Sequence, residues 1–283
     1  MSDRSLPNQL PTPFTFSQSS LRDYDDCPRR FQLKYIQELK WPAVETAPIL
    51  ENEKRQLDGQ NFHRMIHQSF LEIPIDKIKK QAGLSQSEPL TRWWNNFEQA
   101  KAGNLAGINE KLIYPEHTLT SPIGKHRLVA KYDLINIDEN HAVIYDWKTY
   151  QKRPNDEYII KNLQTKVYLS LLIKAGRQIN LNHDLLPANV EMIYWYAEHP
   201  DEPLVIKYSS SLYSQDWMEI NELINEISAK QSFPMTDNEK TCGFCAFRSY
   251  CNRGKAAAEN LAEEFEENIS FEINLEQIQE IEF

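Results

Sequence analysis

Lys131-Tyr-Asp-Leu-Ile-Asn-Ile-Asp138 and Val143-Ile-Tyr-Asp-Trp-Lys-Thr149 decide the reading of this chain. Both stretches are rich in β-branched and aromatic residues, and Asp138-Glu-Asn-His141 between them reads as a tight turn. Alternate residues of a strand share a face, so Asp146 and Lys148 point one way and Trp147 the other. The turn folds the first strand back along the second and brings Asp133 beside Asp146. Two carboxylates and a lysine then converge at one point of a sheet. An acidic pair suits a hard divalent ion such as Mg²⁺. A lysine beside the ion can orient or help deprotonate a water, or offset charge on a phosphoryl group, which is the pattern of metal-assisted phosphodiester hydrolysis. Taken alone, D-x-K is short enough that an ordinary ion pair on a strand also satisfies it.

Outward from this point the pattern is helical before and mixed after. Residues 1–16 read as a flexible lead. Ser17–Leu39 reads as a helix interrupted at Pro28, with Ser19 or Ser20 as N-cap. Residues 41–55 read as a connection. Asp58–Ile73 is helical, with Phe62, Met65, Ile66 and Phe70 at helical spacing, as are Asp76–Gly83 and Glu88–Gly103. Strands are expected at Leu112–Leu119, Lys125–Ile137, Ala142–Thr149, Asn189–Ala197 and Leu204–Ser209, with helices at Asn155–Ala175 and Ser214–Ser228. Trp93, Trp94, Trp195 and Tyr196 read as core residues. The order predicts an α/β fold, a central mixed β-sheet flanked by helices with a helical N-terminal part. Residues 17–255 are expected to form one domain: 17–110 mainly helical, 111–209 the α/β core, 210–255 a helix and a cysteine cluster.

The 283 residues carry a formal charge of −10, which on its face argues against a nucleic-acid partner. The charge is unevenly placed. Residues 256–283 hold nine glutamates and no Lys, Arg or Asp, which leaves 31 basic and 32 acidic groups in the first 255 residues. The body is near neutral and free to place basic residues on one face. The acidic tail reads as a helix start, Ala256–Glu267, followed by the alternating Ile269–Leu275. It is either a solvated end or a partner-binding, DNA-mimicking segment. The eight glycines form neither a GxGxxG nor a GxxxxGK[ST] pattern, which sets aside a dinucleotide site or a P-loop motor. No run of about 18 apolar residues occurs and residues 1–14 have no signal-peptide core, so a cytoplasmic protein with no membrane partner is expected.

Cys242, Cys245 and Cys251 lie close together, and Cys27 lies 215 residues upstream of Cys242. Clustered cysteines in a cytosolic chain suggest metal or redox chemistry. Four thiolates are the ligand count for a [4Fe–4S] cluster or for a structural zinc. Zinc ribbons usually carry two CxxC knuckles, and this chain has one. Either centre would staple the N-terminal helix to the C-terminal segment. Arg29, Arg30, Arg248 and Arg253 are placed to offset its charge or to meet a phosphate backbone.

Several motifs in order resemble the PD-(D/E)XK nuclease superfamily, specifically its RecB-like branch. Ser19-Ser-Leu-Arg-Asp-Tyr-Asp-Asp-Cys-Pro-Arg-Arg-Phe31 resembles the N-terminal S-x-L-x-x-Y-x-x-C-P-x-x-F/Y segment. Gly59-Gln-Asn-Phe-His63 resembles the helix with a metal-binding histidine. Asp133 and Asp146-Trp-Lys148 match the catalytic acid and D-x-K, Gln164-Thr-Lys-Val-Tyr168 the Q-x-x-x-Y helix, and the three late cysteines the C-terminal part of the cluster motif. The resemblance implies a restriction-endonuclease-like core and a nuclease dependent on Mg²⁺ or Mn²⁺. It implies His63, Asp133 and Asp146 as metal ligands, Lys148 as the catalytic lysine, and Gln164 and Tyr168 beside the site. Glu116 corresponds to a further acidic position of some members. Cys27, Cys242, Cys245 and Cys251 are implied to hold a [4Fe–4S] cluster. An exonuclease acting on DNA ends or single strands follows, free-standing or with a separate helicase. The alternative is a non-catalytic DNA-binding subunit of a helicase–nuclease complex. Ala130-Lys131 stands where the family often has Gly-Arg.

Overall fold

A computed structural model describes residues 9–39, 48–81, 86–108, 112–138, 141–180, 183–243 and 245–253. The acidic tail, 256–283, lies outside the described residues, as does the turn at 139–140. The chain opens with a short strand, β1 (Thr15–Ser17), which runs into α1 (Gln18–Asp26). Ser17 is the N-cap: its side chain accepts the Ser20 N–H, and Ser20 returns the bond to the Ser17 N–H. Ser19 and Ser20, the expected caps, are buried inside the helix instead. Cys27 breaks the helix in an extended conformation, and α2 (Pro28–Phe31) restarts with proline at its first position, where a missing N–H costs nothing. A π-helical turn, Gln32–Ile36, follows. α3 spans Pro48–Phe70, again starting on a proline, ten residues ahead of the expected Asp58. α4 (Ile75–Gln81) and α5 (Glu88–Ala102) complete the helical part.

The strands follow: β2 (Ile113–Ile123), β3 (His126–Asp138) and β4 (His141–Lys148). Between β4 and β5 (Val190–Tyr196) the chain crosses over through α6 (Asp156–Lys161) and α7 (Leu163–Ala175). The single expected helix at 155–175 is two, because Asn162 is extended and caps α7 by accepting the Thr165 N–H. β6 (His199–Lys207) and α8 (Ser210–Ala229) end the regular structure.

The six strands make one mixed sheet. β2–β3, β3–β4 and β5–β6 are antiparallel, whereas β4–β5 and β1–β3 are parallel. β2 covers one edge of β3 from 126 to 136. The other edge is shared: β1 pairs with residues 127–129 and β4 with residues 134–138. Residues 130–133 therefore have no strand beside them on that edge.

Both faces of the sheet are covered, which explains why β4 is buried at every residue after His141. On one face, α7 and α8 pack with Tyr132, Ile144, Leu171, Met192, Tyr194 and Ile220. On the other, α3 and α5 pack with Phe62, Trp94, Phe97, Trp147 and Trp195. The four residues read as core are all buried. Thr15 and Phe16 depart from the expected flexible lead, since Phe16 is fully buried against Phe31 and His126. A three-residue strand is too short to leave an alternation signal. No described helix is long and apolar enough to cross a membrane.

Candidate functional site

Asp133 lies at the unpaired stretch of β3. Its Oδ2 accepts the Trp147 backbone N–H at 2.8 Å, so a side chain takes the place of a strand partner. Continuing the β3–β4 register by one step sets Asp133 opposite Asp146. The two acids therefore stand at facing positions of neighbouring strands. Alternation along β3 also slips here. Tyr132 and Ile135 both face the α7 side, while Leu134 faces α3 and α5. Residues three apart cannot share a face in a regular strand, so the irregularity turns Asp133 toward α3.

Two further residues meet it there. His63, on α3, places Nδ1 3.2 Å from Asp133 Oδ1. Glu116 falls opposite Asp133 in the β2–β3 register, between the pairs Pro115–Leu134 and His117–Tyr132. It has φ of +50°, a left-handed conformation that costs a non-glycine residue energy and is commonly held at functional sites. His63, Glu116 and Asp133 bring one ligand atom each within 4.8 Å of one another. His67, one turn further along α3, is not part of this group.

Asp146 and Lys148 are recessed beside the trio, both nearly inaccessible. Lys148 Nζ is 2.9 Å from Asp146 Oδ2 and donates to Gln164 Oε1 at 2.9 Å. Gln164 Nε2 donates to Asp146 Oδ1 at 2.8 Å. The three side chains form a closed ring, so α7 fixes the orientation of both β4 groups. Lys148 also lies 5.4 Å from the ring centre of Tyr194 and 5.6 Å from that of Tyr150. Tyr168, expected beside the site, packs its ring on Tyr132 at 4.9 Å, next to Asp133 in sequence but on the α7 side.

The electrostatics follow from burial against pairing. Burial opposes a charge on His63, yet Asp133, with Asp146 and Glu116, outweighs it and raises the imidazole pKa. Burial also works against an ionised Asp133, but His63, the Trp147 N–H and Lys148 together lower its pKa. Burial pushes Asp146 up to about 7, with Lys148 resisting and Asp133 adding to the rise. His63 Nδ1 is buried against Asp133 Oδ1, and Asp146 Oδ2 is buried against the Lys148 ammonium. One imidazole nitrogen and several carboxylate oxygens are a donor set that a divalent cation accepts.

The four cysteines converge although Cys27 is 215 residues from Cys242. Cys27, Cys242, Cys245 and Cys251 line one cavity with Arg30, Leu33, Met235, Thr241, Phe247 and Arg248. Burial raises the thiol pKa of Cys242, Cys245 and Cys251, and each is raised further by Cys27. Arg253, Arg30 and Arg29 oppose the rise at Cys242, Cys245 and Cys251 respectively. Arg253 Nη1 lies 4.0 Å from Cys242 Sγ, and buried Arg248 donates to the Cys245 carbonyl. Arg30 is also paired with Asp23 and Asp26.

Among solved structures, a Eubacterium rectale protein described as "Putative exonuclease" is similar at 9% identity and TM-score 0.49, over 78% of this chain and 80% of that one. A structure named SSO0001 is similar at 12% identity and TM-score 0.37, over 84% and 85%. Neither value supports a shared role. No curated protein matches the chain in sequence. The family model of the PD-(D/E)XK nuclease superfamily matches residues 15–252, a span that takes in β1, the ligand trio, the D-x-K strand and all four cysteines. The chain belongs to the PD-(D/E)XK nuclease superfamily.

Proposed function

We propose that this chain is a divalent-metal-dependent deoxyribonuclease of the RecB-like branch, an exonuclease acting on DNA ends or single strands in repair, recombination or defence. It is read as one nuclease domain over residues 17–255 with an acidic tail, cytoplasmic, free-standing or beside a separate helicase. The observation that carries the reading is the approach of His63, Glu116 and Asp133 to within 4.8 Å, next to the Asp146–Lys148–Gln164 ring. An intact set of this kind argues against a non-catalytic DNA-binding subunit.

His63, Asp133 and Asp146, with Glu116, are the residues to hold the cation. A divalent ion there supplies an activated water and charge stabilisation at the phosphoryl group. The chain's own groups do the rest. The Trp147 N–H fixes the Asp133 carboxylate. Gln164 accepts from Lys148 and donates to Asp146, which keeps both side chains in one rotamer. Lys148 directs its ammonium at the attacking water or at a phosphoryl oxygen, and Tyr168 supports the strand that carries Asp133. A nitrogen ligand among oxygens favours Mn²⁺ over Mg²⁺, since imidazole suits transition metals and Mg²⁺ prefers oxygen alone.

The four cysteines are assigned to a [4Fe–4S] cluster that staples α1–α2 to the 242–251 segment. Zinc ribbons usually carry two CxxC knuckles and this chain has one, whereas four thiolates can each bind one iron of a four-iron cluster. The nearby arginines offset the charge of four thiolates.

The test is hydrolysis of end-labelled single- and double-stranded DNA with Mg²⁺ or Mn²⁺, run beside Asp146→Ala. Metal-dependent release of nucleotides by the wild type alone is expected. An inactive wild type, or an active Asp146→Ala, overturns the assignment. Iron and sulfide near four each after anaerobic purification are expected, and one equivalent of zinc in their place would remove the cluster.

A further inference from the structure

Lys131 is two residues before Asp133 on β3, and its Nζ lies 2.8 Å from Glu116 Oε2. Its side chain is 43% exposed, whereas those of His63, Glu116 and Asp133 are 14–17% exposed. Lys148 is sequestered between Asp146 and Gln164. Among the described residues, Lys131 is thus the lysine that both touches the ligand trio and stands open to solvent. Its ammonium therefore lies on the solvent side of Glu116. An ion pair this exposed is weakly held and can be exchanged at little cost.

From this geometry we infer that Lys131 is a DNA-backbone contact parked on Glu116. It pairs with the carboxylate while the cation is absent, and turns to a phosphate of the bound strand once Glu116 serves the cation. Glu116 and Lys131 each exchange one partner for another of like charge, so no buried charge is left uncompensated at either stage. The compact ammonium on a flexible stem suits this hand-over, since it carries no fixed fork that must be matched. The inference rests on the nuclease reading above.

The experiment measures binding of a fluorescent single-stranded oligonucleotide by anisotropy, with Mn²⁺, across 50–200 mM salt. Full-length Lys148→Met protein is used so that cleavage does not intrude. Adding Lys131→Gln should weaken binding roughly five- to tenfold and make the slope of log affinity against log salt shallower by about 0.7, the loss of one single-strand phosphate contact. Lys131→Arg should restore both. A calorimetric Mn²⁺ titration without DNA should show affinity unchanged or tighter in Lys131→Gln, because a competing cation is gone. An unchanged salt slope overturns the inference. So does weaker Mn²⁺ binding, which would reduce Lys131 to a prop for Glu116. Wild-type protein without metal-dependent cleavage would sink the nuclease reading, while the binding arm would still decide the role of Lys131.

Discussion

Glu116 stands 17 positions before Asp133 and Asp133 stands 13 before Asp146, whereas Cys27 stands 215 before Cys242. The carboxylates are brought together by two consecutive strand pairings, whose registers are set by the turns between them. Only His63 comes from another layer. The cysteines have no such scaffold. Cys27 sits at the break between α1 and α2, and the other three lie in irregular chain with short 3₁₀ turns. Within the D-x-K part, polar groups already satisfy one another through Gln164, while the thiols face a cavity. One site is positioned by the sheet, whereas the other is assembled from two segments far apart in the chain.

That contrast predicts opposite outcomes for substitutions in the two places. The largest effect is expected for Asp146→Ala or Lys148→Ala: hydrolysis should fall by about three orders of magnitude or more, since these groups act as a unit. Circular dichroism and thermal unfolding should stay close to wild type. A variant that loses activity by unfolding would erase the distinction. Cys27→Ala should do the reverse, losing iron and stability on the order of 2–5 kcal/mol, the scale for closing a long loop. A stable, iron-replete Cys27→Ala protein would count against the staple.

A third substitution sharpens the hydrolytic side. His63→Ala should weaken Mn²⁺ binding by roughly tenfold to a hundredfold and narrow the preference for Mn²⁺ over Mg²⁺. Equal losses for both ions, read by calorimetry, would mean that the imidazole is not a ligand.

The smallest effect concerns a tether between β3 and α8. Buried His126 opens β3. Its Nδ1 accepts the Phe14 N–H at 3.1 Å, and Nε2 lies 3.0 Å from Ser228 Oγ on α8. Burial lowers its pKa, with Lys125 adding to the fall, and the Phe16 ring packs on it. A histidine whose folded pKa is lowered contributes stability that is complete above its ordinary value near 6.5 and is lost as pH drops toward the folded value. Unfolding midpoints should therefore fall more between pH 7 and 5 in wild type than in His126→Asn. Parallel pH profiles would remove the tether.

The shared face of Asp146 and Lys148 was legible because alternation determines it, and one turn sets Asp133 on the strand beside them, but the slip that turns Asp133 toward α3 leaves no sequence signal. Glu116 was much less legible. Its place opposite Asp133 depends on the β2–β3 register, and its left-handed backbone has no glycine to announce it. The Gly124 turn, also at positive φ, is the signal from which that register can be counted. β1 escaped notice because three residues are too few for a pattern, and its parallel pairing with β3 is long-range. The capping serines were read two to three residues late because Ser17, Ser19 and Ser20 are all good caps, and only burial separates them. The place of Tyr168 was expected from the family resemblance alone; its ring packs on Tyr132, one residue before Asp133. Number and spacing suggested a shared metal site for the four cysteines but left an iron–sulfur cluster and a zinc open.

The position of Cys27 has a consequence in time. A ribosome adds about 5–20 residues per second, so the Cys27 thiol waits roughly ten to forty seconds before Cys242 exists. By then every strand of the sheet has been made, including the three that carry Glu116, Asp133 and Asp146. A cluster on the four cysteines, as proposed, could therefore close only after the strands exist.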